Sequence, residues 1–95
     1  MYIINVTYKV SLETIDKYIS EHIEYLDTQY ALGSFIASGR KVPRTGGIIL
    51  SNLSDKNELL KIIEKDPFKI RDLANYKITE FNPSKTSEEL KFLMS

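Results

Sequence analysis

The sequence predicts an α+β domain: two helices on one face of a four-stranded antiparallel sheet, with a short extra helix at the C-terminus. Three observations carry that expectation. Apolar residues alternate over Tyr2–Lys9 and again over Ala74–Phe81, the period of a strand. After Ser11 they recur at spacings of three and four, the period of a helix. The chain has 95 residues, 42% of them hydrophobic. That is one core, able to bury about 65% of the unfolded surface, with no room for a second.

The elements follow in order. In the first strand Tyr2, Ile4, Val6 and Tyr8 share one face and Ile3, Asn5, Thr7 and Lys9 the other. Ser11 offers an N-cap and Glu13 a first-turn negative charge, and the apolar stripe of the first helix runs Leu12, Ile15, Ile19, Ile23, Leu26, Tyr30. Gly33 suits the C-cap. A short second strand spans Phe35–Ser38, ending in Ser38-Gly39, and a loop holding Pro43 leads through Gly46-Gly47 to a third strand at Ile48–Leu50. Ser54 or Asp55 caps a second helix, Asp55 and Glu58 having the capping-box spacing, and its buried side is Leu59, Leu60, Ile62 and Ile63. Pro67 interrupts that helix, a turn runs on to Asp72, and the fourth strand follows. Thr86 and Glu89 cap a C-terminal helix at Thr86–Met94. The order β-α-β-β-α-β is the ferredoxin-like plait, treated as a single domain over residues 1–95. It leaves one sheet face bare, which a second copy joined sheet to sheet would cover.

Composition excludes several classes. Thirteen basic and thirteen acidic residues cancel, so no field of one sign draws nucleic acid or an anionic membrane. Zero cysteines remove disulfides, zinc knuckles, iron–sulfur centres and a thiol nucleophile, and a single histidine leaves only carboxylates to build a metal site. The N-terminus lacks the basic and apolar regions of a signal peptide, and no apolar run is long enough to span a bilayer. The expectation is a cytoplasmic protein with no metal and no cofactor.

Few residues could carry chemistry. His22, the only histidine, falls about 50° from the centre of the apolar stripe, at the margin of the buried face. An imidazole there is either a general acid/base or a boundary residue filling space beside Tyr18 and Leu26. Asp66 before Pro67 is an ordinary N-cap with proline at N1, yet it also falls on the inward side of the second helix with Leu59 and Ile63. An inward carboxylate needs a partner, and His22 or a tyrosine or serine hydroxyl could supply one. Arg40 and Arg44 in the loop between the second and third strands are either solvated charges or a grip for a carboxylate or phosphate. Ser38 would be a nucleophile only with His22 in reach.

His22, Ser38-Gly39, Gly46-Gly47 and Asp66-Pro67-Phe68, in that order and spacing, resemble the YciI-like (YCII-related) family of small dimeric α/β-barrel proteins. The resemblance covers nearly the whole chain and implies a homodimer of facing sheets; an exposed Leu90, Phe92 and Leu93 face would favour higher assembly. It also implies a pocket between sheet and helices in which His22 and Asp66 form a catalytic pair. Ser38, Gly39, Arg40, Pro67 and Phe68 then become substrate-binding positions. Arg40 departs from the family, which often has proline after Ser-Gly; here the proline comes later, at Pro43. Known members include a dehydrochlorinase acting on a chlorinated hydroxyquinol, and the wider superfamily includes muconolactone isomerases and haem or quinol monooxygenases. The expected function is acid/base chemistry on a small cyclic or aromatic metabolite: elimination, isomerisation or a lactone-type reaction. The alternative is a non-catalytic small-molecule-binding or accessory module.

Overall fold

A computed structural model of the chain describes residues 1–94. It contains β1 (Tyr2–Tyr8), α1 (Leu12–Ala31), β2 (Ala37–Arg40), β3 (Gly46–Ser51), α2 (Lys56–Ile63), α3 (Pro67–Ile70), β4 (Ala74–Glu80) and a 3-10 helix over Glu88–Met94. The strands form one antiparallel sheet in the order β2-β3-β1-β4. This is the ferredoxin-like arrangement.

Register fixes which residues face the helices. Val6 pairs with Gly47 on one side and Tyr76 on the other, and Ile4 with Ile49 and Ile78. Cross-strand partners share a face, so Tyr2, Ile4, Val6, Ile49 and Tyr76 all point toward the helices. The core is Tyr2, Ile4, Val6 and Ile49 from the sheet with Ile15, Tyr25, Leu59, Ile63 and Phe68 from the helices. The opposite face carries Ile3, Asn5, Ile48 and Leu50, all half-buried, with Thr7, Asn75 and Lys77 exposed.

Gly46 makes the β1–β3 contact possible. A Cβ there would lie 1.8 Å from the Val6 carbonyl oxygen, so no side chain fits. Gly33, with φ of 79°, closes α1 in the left-handed region that glycine enters without steric cost.

Four expectations need correction. The buried face of α1 is turned by roughly 50° from the purely apolar stripe. Ile15, Tyr25 and Gln29 are buried, whereas Ile23 is 49% exposed and Leu12 and Tyr30 are exposed as well. Tyr25 can go inward because its hydroxyl donates to the Ile62 carbonyl at 2.8 Å, a polar tip that apolar periodicity does not count. His22 therefore lies within the buried stripe rather than at its margin. Leu60 is exposed, leaving Leu59, Ile62 and Ile63 as the buried side of α2. The second strand starts at Ala37, because Phe35 is spent on the core next to Tyr25 and Tyr30. The C-terminal segment is a 3-10 helix with no buried residue, and the Thr86 hydroxyl finds no partner, so the expected cap does not form. Seven residues, none of them buried, are too few to sustain an α-helix on their own.

Candidate active site

The break between α2 and α3 places Asp66. Its side chain caps α3 by accepting from the Phe68 N–H at 3.0 Å, and Pro67 at N1 gives up no hydrogen bond. The same residue is completely buried. Asp66 is therefore both a helix cap and an inward carboxylate.

A buried carboxylate is stable only if its oxygens are satisfied, and these are. Oδ1 accepts from Phe68 and lies 2.9 Å from His22 Nδ1. Oδ2 accepts from the Tyr76 hydroxyl at 2.5 Å. The Tyr76 phenol is pushed far up by burial first and by the Asp66 charge second, so the proton of that bond stays on tyrosine. Tyr25 is shifted the same way by the same two causes. A carboxylate offers no hydrogen, so His22 must present Nδ1–H to it, which leaves Nε2 as the free ring nitrogen.

The imidazole is held by more than this bond. Its ring stacks on Phe68, with centroids 4.2 Å apart and planes within 7°. Its side chain is 14% exposed, enough for one edge to reach a ligand. Arg71 then ties α3 to α1, donating two nitrogens to Glu21 while lying 4.2 Å over the Tyr18 ring. Asp66-Pro67-Phe68 thus supplies the acceptor, the turn and the stacking surface.

His22 lines a cavity of about 380 Å³ between α1 and the β2–β3 side of the sheet. Val6, Ile19, Leu26, Ile49 and Phe68 make its apolar walls. Ser38, Gly39 and Arg40 form the edge-strand side, and Tyr8 and Arg44 close it beyond β1 and the β2–β3 loop. Pro67, proposed from sequence as a ligand contact, does not line the cavity. Ser38 accepts a hydrogen bond from Tyr30 at 2.7 Å. No Ser38–His22 bond accompanies it, so the pairing a serine nucleophile needs is not formed. Arg44 reaches back to α1 and donates to Asp16 at 2.6 Å. That bond holds the Asp16 carboxyl below its ordinary range and raises the Arg44 guanidinium. Among the described residues no three His, Cys, Asp or Glu side chains gather where a metal ion could be held. No helix among them is long and apolar enough to cross a membrane.

Sequence reasoning did not single out Tyr76. The signal was present, since the residue shares the strand face of Ile78, but its partner lies ten residues away across a turn.

The YCII-related domain matches residues 1–82, a span that holds His22, Ser38-Gly39 within β2 and the Asp66-Pro67-Phe68 turn. The chain belongs to this family. Beyond the match lies the segment with the 3-10 helix Glu88–Met94. Among solved structures, this YCII-related chain is similar to the 5-chloro-2-hydroxyhydroquinone dehydrochlorinase of Burkholderia phenoliruptrix AC1100, solved with 2,5-dihydroxybenzoquinone. The two share 17% identity at a TM-score of 0.71, over 86% of this chain and 94% of that one. At that identity the likeness speaks for the fold. No curated protein matches the sequence.

Proposed function

We propose that this YCII-related protein moves a proton on a small cyclic or aromatic metabolite, in an elimination, isomerisation or lactone-type reaction. His22 is the acid/base and Asp66 its positioning partner. The observation that carries the reading is the 2.9 Å contact between His22 Nδ1 and a fully buried carboxylate, at the wall of a cavity lined mostly by apolar side chains. With Nδ1–H turned to Asp66, Nε2 takes a proton from the substrate. The imidazolium that results is balanced by the adjacent carboxylate. The dehydrochlorinase of similar fold acts on a hydroxylated ring, which agrees with a cavity at the small end of the ~300–1,000 Å³ range of ligand sites.

The test is solvent-deuterium exchange and product formation, followed by NMR, over a panel of hydroxyquinols, chlorinated hydroxyquinols and unsaturated lactones. Turnover by the wild type, lost in His22→Ala and Asp66→Asn with the fold retained, is the expected result. Full activity in either variant, or a ligand that binds and returns unchanged and unexchanged, overturns it.

The working unit of this reading is a homodimer joined through the open sheet face. Half-buried Ile3, Ile48 and Leu50 lie there, and the Asn5 side-chain oxygen is buried without a hydrogen-bond partner. A second sheet would cover the first three and could supply the missing donor. Sedimentation of the wild type as a dimer and of Ile3→Glu as a monomer is expected. A wild type that is monomeric at all concentrations refutes the assembly.

A further inference from the structure

The cavity has a sign. Arg40 and Arg44 line it and no aspartate or glutamate does. The two arginines differ in commitment. Arg44 is engaged with Asp16 at 2.6 Å. Arg40 has no ion pair or side-chain hydrogen bond among the described residues, although its guanidinium carries five donors.

Position makes that idle charge informative. Arg40 ends the edge strand β2 opposite Gly47, and Ser38 pairs with Ile49, so both stand on the helix-facing side of the sheet. Two residues apart on one face, they border the same cavity as His22. Ser38 already accepts the Tyr30 proton, so its own hydroxyl hydrogen is free to donate. The site therefore presents a guanidinium fork and a hydroxyl donor on the β2 side, apolar walls, and the His22 ring from α1.

We propose that the ligand of this cavity is a small ring bearing a carboxylate, which Arg40 receives as a bidentate pair and Ser38 completes with a hydrogen bond. The assignment rests on reading the cavity as the reaction site and adds the substrate class to it. A carboxylate suits the fork because its two oxygens match two parallel N–H donors. The apolar walls take the ring, and anchoring the charge at β2 directs the ring's opposite edge toward His22. An uncharged ring of the same size would leave the guanidinium without a counter-ion.

The experiment is calorimetric titration of the purified full-length protein with 2,5-dihydroxybenzoate and with its uncharged amide at the same salt. The expected result is carboxylate binding at least tenfold tighter than the amide, a gap of about 1.4 kcal/mol. Arg40→Gln removes that preference while amide affinity holds, Arg40→Lys keeps part of it, and Arg44→Ala keeps it. Equal affinity for the two probes overturns the proposal, and so does failure of both to bind at millimolar concentration. A preference that survives Arg40→Gln but disappears in Arg44→Ala overturns the assignment to Arg40. Binding is measured here without turnover, so its failure and the failure of proton transfer are distinguishable: the exchange assay on His22 and Asp66 tests the latter separately.

Discussion

Replacing Tyr76 by Phe removes one oxygen from the fold and leaves Asp66 short of a donor. The volume change is small and the ring keeps its place on β4, so cavity formation contributes little. What is lost is a 2.5 Å hydrogen bond to a carboxylate that is completely buried. A bond to a charged group contributes roughly 1.5–3 kcal/mol, and no water reaches Oδ2 to replace it. The expected destabilisation is therefore about 2 kcal/mol, a fall in Tm of about 8–16 °C for a domain of this size. Tyr25→Phe is the natural comparison, because its hydroxyl donates to the neutral Ile62 carbonyl. It should cost about 1 kcal/mol. Urea denaturation followed by circular dichroism measures both, and repeating Tyr76→Phe in an Asp66→Asn background completes a double-mutant cycle. With no charge left to strand, the tyrosine substitution becomes cheaper there, giving a coupling of about 1 kcal/mol or more. If Tyr76→Phe costs less than about 0.5 kcal/mol, or adds independently to Asp66→Asn, the carboxylate is not held by three donors and the reasoning fails.

Alkaline pH should expose the raised phenols. Tyr2, Tyr25 and Tyr76 all lie above the ordinary tyrosine value, chiefly through burial. A folded-state value above the unfolded one stabilises at pH below the unfolded value, about 10, and that stability is lost as pH rises toward the folded values. Phenolate absorbance at 295 nm should thus fall short of six tyrosines until the fold gives way; reversible release of all six in the native state would refute this. At the acidic end, Asp16 is lowered, first by its hydrogen bond to Arg44. The sign is opposite: the tie between α1 and the β2–β3 loop is present above the ordinary carboxylate value and fades as pH falls through the lowered one. Carboxyl ¹³C shifts should give Asp16 a midpoint below 3.8, moving up in Arg44→Ala; a wild-type midpoint at or above that value would contradict the pairing. Gly46→Ala should destabilise by about 2 kcal/mol or more, because β1 and β3 must separate to admit a methyl group against the Val6 carbonyl. A calorimetric Tm within a degree or two of wild type would show that the strands can give way freely.

How much of the fold and site is legible in the sequence depends on whether the cause is local. Ser11, Asp55 and Asp66 are readable as caps because each bonds an amide two or three residues ahead. β1 and β4 are readable from alternation, and the strand order from the sequence of elements, whereas β2 is displaced because Phe35 goes to the core. Three-dimensional consequences are less accessible. The face of α1 depends on Tyr25 finding the Ile62 carbonyl 37 residues away, which no helical periodicity reports. The neighbourhood of His22 and Asp66 is suggested by an inward carboxylate and a family resemblance, but Tyr76 enters only with the β1–β4 register. Arg40 and Arg44 read alike as loop charges, and only the bond to Asp16 separates them.

The two sides of the cavity differ in what they can tolerate. On the His22 side every group is interlocked: Asp66 caps α3 and takes donors from α1, α3 and β4. A substitution there removes a hydrogen bond or stacking contact that several elements share. On the other side stands β2, four residues long, exposed throughout, and bordered by a neighbour on one edge only. Side chains at Ser38 and Arg40 can be exchanged with little effect on the core. On the proposed function, such a division separates the residues that would contact a ligand from the interlocked His22–Asp66 pair. For an engineer it marks β2 as the place to diversify, and the segment from Asp66 to Phe68 as the place to leave alone.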